Sequence, residues 1–357
     1  MTAPSRPPVD PPTAREPGVD GPSARRWTLP QVFRSNEALV AVIILAFSVV
    51  TGIVSPSFFT LANAFDLLRA SIVVGILAIG VLVVLLSGGI DVSFTAIAAF
   101  SMYASILFVT SNGLTAHWAV VFAISVGIGT VLGLINAVFI GWFRLPTLIV
   151  TLGTLSLFRG FLLAFVGTRI INVLPPSMRE FSRTPLFRVT SPEGVIFSLP
   201  LAFVFLVVVV ALTWFILRKT MLGRAIYAYG GNPEAAERAG FNVLKVRFFV
   251  FGYVGALAGL AGIIHVSLAR VANPVDLVGQ ELTVIAAVVL GGASIAGGRG
   301  TIAGTLLGIA LIVIVSNSLV ALGISSSWQR VAVGLLILLG TGVPAYQARR
   351  SRRATLA

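Results

Sequence analysis

Four polar side chains stand within or beside long apolar runs, where they could meet a solute: Asp91 in Gly88-Gly-Ile-Asp-Val-Ser93, Asn136, Ser156 and Asn317. A charge at membrane depth costs about 2.5–3.5 kcal/mol on insertion scales, so each such group needs a partner or a purpose. Gly88 and Gly89 let the backbone bend beside Asp91. Its carboxylate can then cap the following helix, whose first N–H groups lack partners, or it can contact a solute. Asn136, Ser156 and Asn317 either line a path for a hydroxyl-rich solute or hydrogen-bond one helix to another. Arg159, in Leu155-Ser-Leu-Phe-Arg-Gly160, is expected to face protein or water rather than lipid.

Nothing in the chain assembles into an enzyme. His117 and His265 lie several apolar runs apart, with no metal-ligand spacing. No glycine-rich phosphate loop with its Lys and Ser/Thr occurs, nor a Gly-x-Ser-x-Gly elbow. The absence of cysteine excludes disulfides, thiolate metal sites and cysteine nucleophiles. No catalytic residue, metal site or cofactor of its own is expected.

A polar stretch in mid-chain, Gly223 to Asn242, has a different use. Asn232 is a good N-cap, and Pro233 fits the first helical position, where no N–H is needed. Glu234 and Arg238 are spaced i, i+4 with the signs the helix dipole prefers. Gly240 supplies a left-handed residue to end the helix. Ala235, Ala236 and Ala239 are small and admit a close approach. A helix below roughly 12–15 residues is marginal alone, so this one is expected to dock a partner.

These groups are positioned by a membrane fold. Of 357 residues, 57% are hydrophobic and 10% charged, with a mean hydropathy of +1.01. Soluble domains carry about 25% charged residues. Apolar runs near 20 residues recur, long enough for a hydrocarbon core about 30 Å thick. They predict an all-α polytopic integral membrane protein with spans at 38–54, 70–86, 94–110, 118–140, 147–166, 197–217, 248–267, 276–291, 301–321 and 328–346. The segment 276–291 carries Asp276 and Glu281 and reaches only about 24 Å as a helix, so it either crosses or re-enters.

The net charge of +13 lies in loops and tails, which points to retention of Lys and Arg on the cytoplasmic side rather than to nucleic acid. Residues 1–37 form a disordered basic tail without a removable signal peptide, 38–347 the transmembrane domain, and 348–357 a second basic tail. Both tails on the cytoplasmic side require an even number of crossings, hence about ten. That count places the 218–247 loop, with its Arg218, Lys219, Lys245 and Arg247, in the cytoplasm. The loop 167–196 then falls outside despite Arg169, Arg179, Arg183 and Arg188, as a surface for an acidic partner or as a solvated loop. Glycine pairs follow Leu86-Ser87 and Leu290, hinting at a repeated substructure.

Four stretches taken in order resemble the permease subunits of bacterial ATP-binding cassette importers for simple sugars, the ribose, xylose and arabinose type. They are Ser87–Ser93, Leu145–Gly160, Gly223–Asn242 and Glu281–Gly300. The resemblance implies an inner-membrane import complex moving a sugar or related small polar solute by alternating access. Its partners would be a cytoplasmic ATPase that uses the ATP, a periplasmic or lipid-anchored solute-binding protein, and a second permease copy, identical or not. It also implies that Gly231, Asn232, Glu234, Ala235, Ala236, Arg238 and Gly240 form the ATPase-coupling helix. The chain departs from many relatives after Ser93, reading Phe94-Thr-Ala96 where they have Val-Gly, so pentose specificity does not carry over. An ion-coupled secondary transporter is the alternative, because broken helices and buried charges occur there too.

Overall fold

The computed structural model describes residues 36–190 and 194–325, and beyond them residues 328, 331, 332, 334, 335 and 338 singly. The expected N-terminal tail, save its last two residues, the 348–357 tail and most of the 328–346 span lie outside the described residues. Twelve helices precede that point. In chain order they are α1 (Asn36–Val54), α2 (Leu61–Leu86), α3 (Phe94–Ser111), α4 (Trp118–Ala137) and α5 (Thr147–Phe161), followed by α6 (Pro176–Arg183), α7 (Ala202–Lys219), α8 (Met221–Gly231), α9 (Pro233–Arg238), α10 (Val243–Ala269), α11 (Glu281–Leu290) and α12 (Ile302–Ala321). Among the described residues, seven helices are long and apolar enough to cross a membrane; α1 and α11 carry shorter apolar stretches.

The core is built around α2. Thr60 caps it by accepting the Asn63 N–H, and from Ile72 its side chains are half-buried or fully buried to Leu86. The helix begins at 61 rather than 70, since Asp66 and Arg69 interrupt the apolar run without breaking the backbone. Against α2 pack α10, α11, α12 and α7. The α4–α10 crossing is glycine on glycine. A Cβ on Gly129 would lie 2.3 Å from Gly255 O, and one on Gly133 would lie 2.2 Å from Phe251 O. Ser125 donates to Gly259 O at 2.8 Å across the same seam. Small residues four apart allow this approach, as their spacing suggests. Gly127, on the same helix, would meet nothing within 4 Å among the described residues.

Further along the chain, other expectations change. The sixth span begins at Ala202, because Ile196–Pro200 is a strand (β2) paired antiparallel with Pro185–Thr190 (β1). The polar stretch before it also holds α6, whose Met178 and Phe181 are buried while Arg179 and Arg183 face out. Phe181 sits 5.0 Å from the rings of both Trp118 and Phe122, which anchors the loop to α4. Finally, 276–291 is not one crossing helix. The helix α11 has 10 residues, about 15 Å at 1.5 Å per residue.

The chain around α11 nevertheless runs the height of the bundle. Ile90, just past α2, donates to Thr147 Oγ1 and accepts from Thr151 Oγ1, so the end of α2 and the start of α5 share one end. Ile171, past α5, pairs with Ala272 through bonds of 2.9 and 3.0 Å at the opposite end. The Gly298 N–H then reaches Leu86 O at 3.0 Å, back at the first end. Residues 272–298 thus traverse the bundle as an irregular segment followed by a short helix.

Candidate coupling site and polar groups of the bundle

The polar mid-chain stretch is two helices rather than a loop with one. Thr220 ends α7 and caps α8: its hydroxyl donates to Ile216 O at 2.7 Å and accepts the Gly223 N–H at 3.2 Å. The apolar positions Leu222, Ala225, Ile226 and Tyr229 fall on one helical face, a spacing that sequence reading passed over.

Asn232 closes α8 and opens α9, accepting the Ala235 N–H at 3.0 Å, with Pro233 in the first turn. The Arg238 guanidinium meets Glu234 at 3.3 Å, their side chains 78% and 85% exposed. Such a surface pair contributes roughly 0.3–0.5 kcal/mol, so it orders the helix more than it stabilises the protein. Gly240 ends α9 at φ +86°. Ala236 is turned inward and buried, whereas Gly231, Asn232, Ala235 and Ala239 stay exposed. The expected small-residue surface is therefore Ala235 and Ala239; an i, i+1 neighbour points about 100° away on a helix.

The pair α8–α9 is rooted in the bundle by backbone contacts. A Cβ on Gly230 would lie 1.9 Å from Leu86 O and 2.8 Å from Gly298 N. Gly297, at φ +90°, packs against Gly230 O and the Gly88 backbone. The Tyr227 hydroxyl donates to Gly300 O at 3.0 Å, and burial raises its phenol above the ordinary range, opposed by Arg218. Arg247 completes the mounting with bonds to Tyr229 Oη (2.7 Å) and Ile140 O (2.9 Å). Beside α9 lies a hollow of about 490 Å³ lined by Trp142, Arg144, Tyr229, Glu234, Glu237 and Arg247, among others.

The two glycine breaks end their helices identically. Gly88 N–H bonds Leu85 O and Gly89 N–H bonds Val84 O; Gly292 N–H bonds Val289 O and Ala293 N–H bonds Val288 O. Gly88 and Gly292 both have positive φ, as this C-cap demands.

The four candidate path residues do not converge. Asp91 Oδ1 accepts the Ser93 N–H and hydroxyl, both at 2.7 Å, and Ser93 Oγ accepts from Asn136 Nδ2 at 2.8 Å. All three are buried, while Asp91 Oδ2 and Asn136 Oδ1 have no partner among the described residues. Asp91 therefore closes a tight turn onto Ser93, the residue before α3, and Ser93 ties that turn to α4 through Asn136. Ser156 lies on the exposed face of α5, bonded only to Leu152 O of its own helix, and Arg159 shares that exposure. Asn317 bonds Asn63 Oδ1 at 3.2 Å, joining α12 to the start of α2.

Two further polar clusters went unread because their members are distant in sequence or looked isolated. Thr95 donates to the buried Glu281 carboxylate, which also accepts the Gly279 N–H at 3.0 Å. His265 is not alone: its Nε2 lies 3.2 Å from Asp276 Oδ2, and Asn273 Nδ2 holds Asp276 Oδ1 at 2.9 Å. An acid in an apolar segment was the available signal for both.

A bundle of membrane-length helices with an exposed, capped helix pair rooted in its core has the build of a transport permease, and sequence comparison agrees. A family model described as the permease component of branched-chain amino acid transport systems matches residues 63–340. The ribose import permease protein of Escherichia coli (strain K12) is 35% identical over 319 residues, 89% of this chain and 95% of that protein. The ribose import permease protein of Haemophilus influenzae is 34% identical over 304 residues, covering 85% and 91%. The autoinducer 2 import system permease protein of Yersinia enterocolitica is 34% identical over 306 residues, covering 85% and 81%. No solved structure gives a significant match. The chain belongs to this family of permease components of bacterial ATP-binding cassette importers.

Proposed function

We propose that this permease carries a sugar or a related small polar solute inward across the inner membrane, by alternating access driven from a separate cytoplasmic ATPase. The chain binds no cofactor of its own in this account, and the ATP is the partner's. The ATPase engages α9 through Gly231, Asn232, Glu234, Ala235, Ala236, Arg238 and Gly240, with Ala236 acting from beneath as packing. The observation that carries this is the mounting of α8: an exposed helix pair whose inner end touches both the α2 terminus and the 297–298 backbone can move them. The ribose and autoinducer 2 relatives support a polar solute.

Ten crossings, with both tails and the 218–247 loop in the cytoplasm, follow from the positive-inside distribution together with the traverse of 272–298. The outer basic cluster of Arg179, Arg183 and Arg188, around a cavity that also includes Glu180, then suits an acidic surface on a solute-binding protein. A second permease copy completes the path, and the exposed face of α5 with Ser156 is the surface this chain offers to it. Asp91, Asn136 and Asn317 shape that path by fixing helices rather than by lining it. Family membership favours ATP over an ion gradient as the driving force.

The test is reconstitution with the cognate ATPase and binding protein, carrying Glu234→Lys and Arg238→Glu together. Uptake is expected to fall at least tenfold while the permease stays folded. Coupled ATP hydrolysis and uptake at wild-type rates, with normal assembly, would refute the docking role.

A further inference from the structure

At the end of the bundle that carries α8 and α9, a second cavity of about 550 Å³ opens between α7, α8 and the start of α12. Arg218 from α7 and Arg224 from α8 both line it, together with Trp214, Tyr227 and the Gly300–Ala303 backbone. Both arginines are exposed, and no carboxylate pairs with either among the described residues. Glu37 bonds the Thr301 hydroxyl at 2.6 Å but does not line the cavity. Lys219 adds a third cation, its ammonium 5.8 Å from the Trp214 ring centroid.

The surroundings specify more than a stray anion. Val207, Val208, Leu212, Trp214 and Phe215 are exposed along α7, leading up to the basic end. An exposed tryptophan followed within one turn by cations marks the membrane–water boundary. Dispersed basic residues would suffice for orienting the chain; here two come from different helices into one concavity, at the foot of an apolar strip. Basic pockets between membrane helices on the cytoplasmic side suit anionic headgroups.

We infer that the Arg218–Arg224 cavity binds the phosphate of an anionic phospholipid of the inner leaflet, with its acyl chains along the exposed face of α7. This rests on the orientation proposed above, which puts this end in the cytoplasm. Because Tyr227 both lines the cavity and bonds Gly300, the bound headgroup would brace α8 against the 291–300 loop.

The full-length chain, purified in detergent, is titrated with phosphatidylglycerol and with phosphatidylcholine and read by native mass spectrometry. Tight, selective retention of phosphatidylglycerol is expected, weakened about fivefold by Arg218→Gln or Arg224→Gln and about 25-fold by both, at roughly 1 kcal/mol per basic residue. Arg179→Gln with Arg183→Gln removes equal charge at the other end and is expected to change nothing. Circular dichroism establishes that each variant is folded. Equal loss in the two double variants would mean diffuse attraction and overturn the site. Displacement of the lipid by millimolar inorganic phosphate would make it a free-anion site and overturn the lipid assignment. Neither assay needs ATPase or solute, so failure here leaves the import function standing, and failure of uptake leaves the lipid site standing.

Discussion

The two ends of the segment between α10 and α12 are joined to the bundle by different means. At the end where α2, α8 and the 297–298 backbone meet, the closest contacts are glycine against main chain, too close for any side chain, with the Tyr227 hydroxyl on Gly300 O beside them. Beyond the backbone bridge of Ala272 to Ile171 at the opposite end, the stretch leading into α11 is held to the bundle by side chains: His265 to Asp276 and, at the start of α11, Thr95 to Glu281. Arg270 and Leu277 there take positive φ, unfavourable for residues with a Cβ. A backbone joint has no rotamers to change and passes displacement on directly. A hydrogen-bonded side-chain joint can break and re-form. The helix α11 therefore has a fixed attachment towards α8 and a releasable one at its N-terminus; in the orientation proposed above, that is what a lever between ATPase and solute requires.

The comparison breaks most readily at Gly230. A Gly230→Val substitution drives a branched side chain into Leu86 O and is expected to destabilise by about 1–3 kcal/mol or more, as overpacking does. Gly231→Ala next to it meets nothing within 4 Å and is expected to stay within about 0.5 kcal/mol. Thermal unfolding of the two in detergent decides whether contact geometry, rather than glycine content, holds this end.

At the releasable end, Glu281→Ala strands the Thr95 hydroxyl and the Gly279 N–H, for an expected loss of about 1–3 kcal/mol. Glu281→Gln keeps an acceptor and is expected to lose less. If both variants melt with the wild type, the joint contributes nothing and the lever lacks its outer attachment. A smaller effect than that of Glu281→Ala is expected from Tyr227→Phe, which removes one bond to Gly300 at about 0.5–1.5 kcal/mol. Its signature is more ATP hydrolysed per solute imported, measured in the same proteoliposomes; an unchanged ratio would remove Tyr227 from the coupling route.

Much of this architecture was legible locally. Apolar runs place most membrane helices to within about five residues, with the start of α2 nine residues late, and the Asn232, Pro233, Glu234, Arg238, Gly240 pattern describes α9 as it stands. Local pattern failed where contacts are remote. Thr95 and Glu281 are 186 residues apart, and the Gly230–Leu86 approach joins segments with no shared motif. The β1–β2 hairpin was hidden by Arg188 and by Pro185 and Pro200 at its ends, which read as loop. Ser156 and Asn136 carry similar chemistry in sequence, yet one is exposed and one buried, because only packing decides which face of a helix turns inward.

Mounted in this way, α9 and the 291–300 loop are expected to move as one body. The chain has no cysteine, so paired labels can be placed without background. Spin labels at Glu237→Cys and Ile295→Cys, both exposed sites, report their separation in the assembled transporter without nucleotide and again after trapping with ATP and vanadate. That distance is expected to stay constant, while a second pair, Ile295→Cys with Val275→Cys, changes. A shift in the first pair with the second unmoved would contradict it.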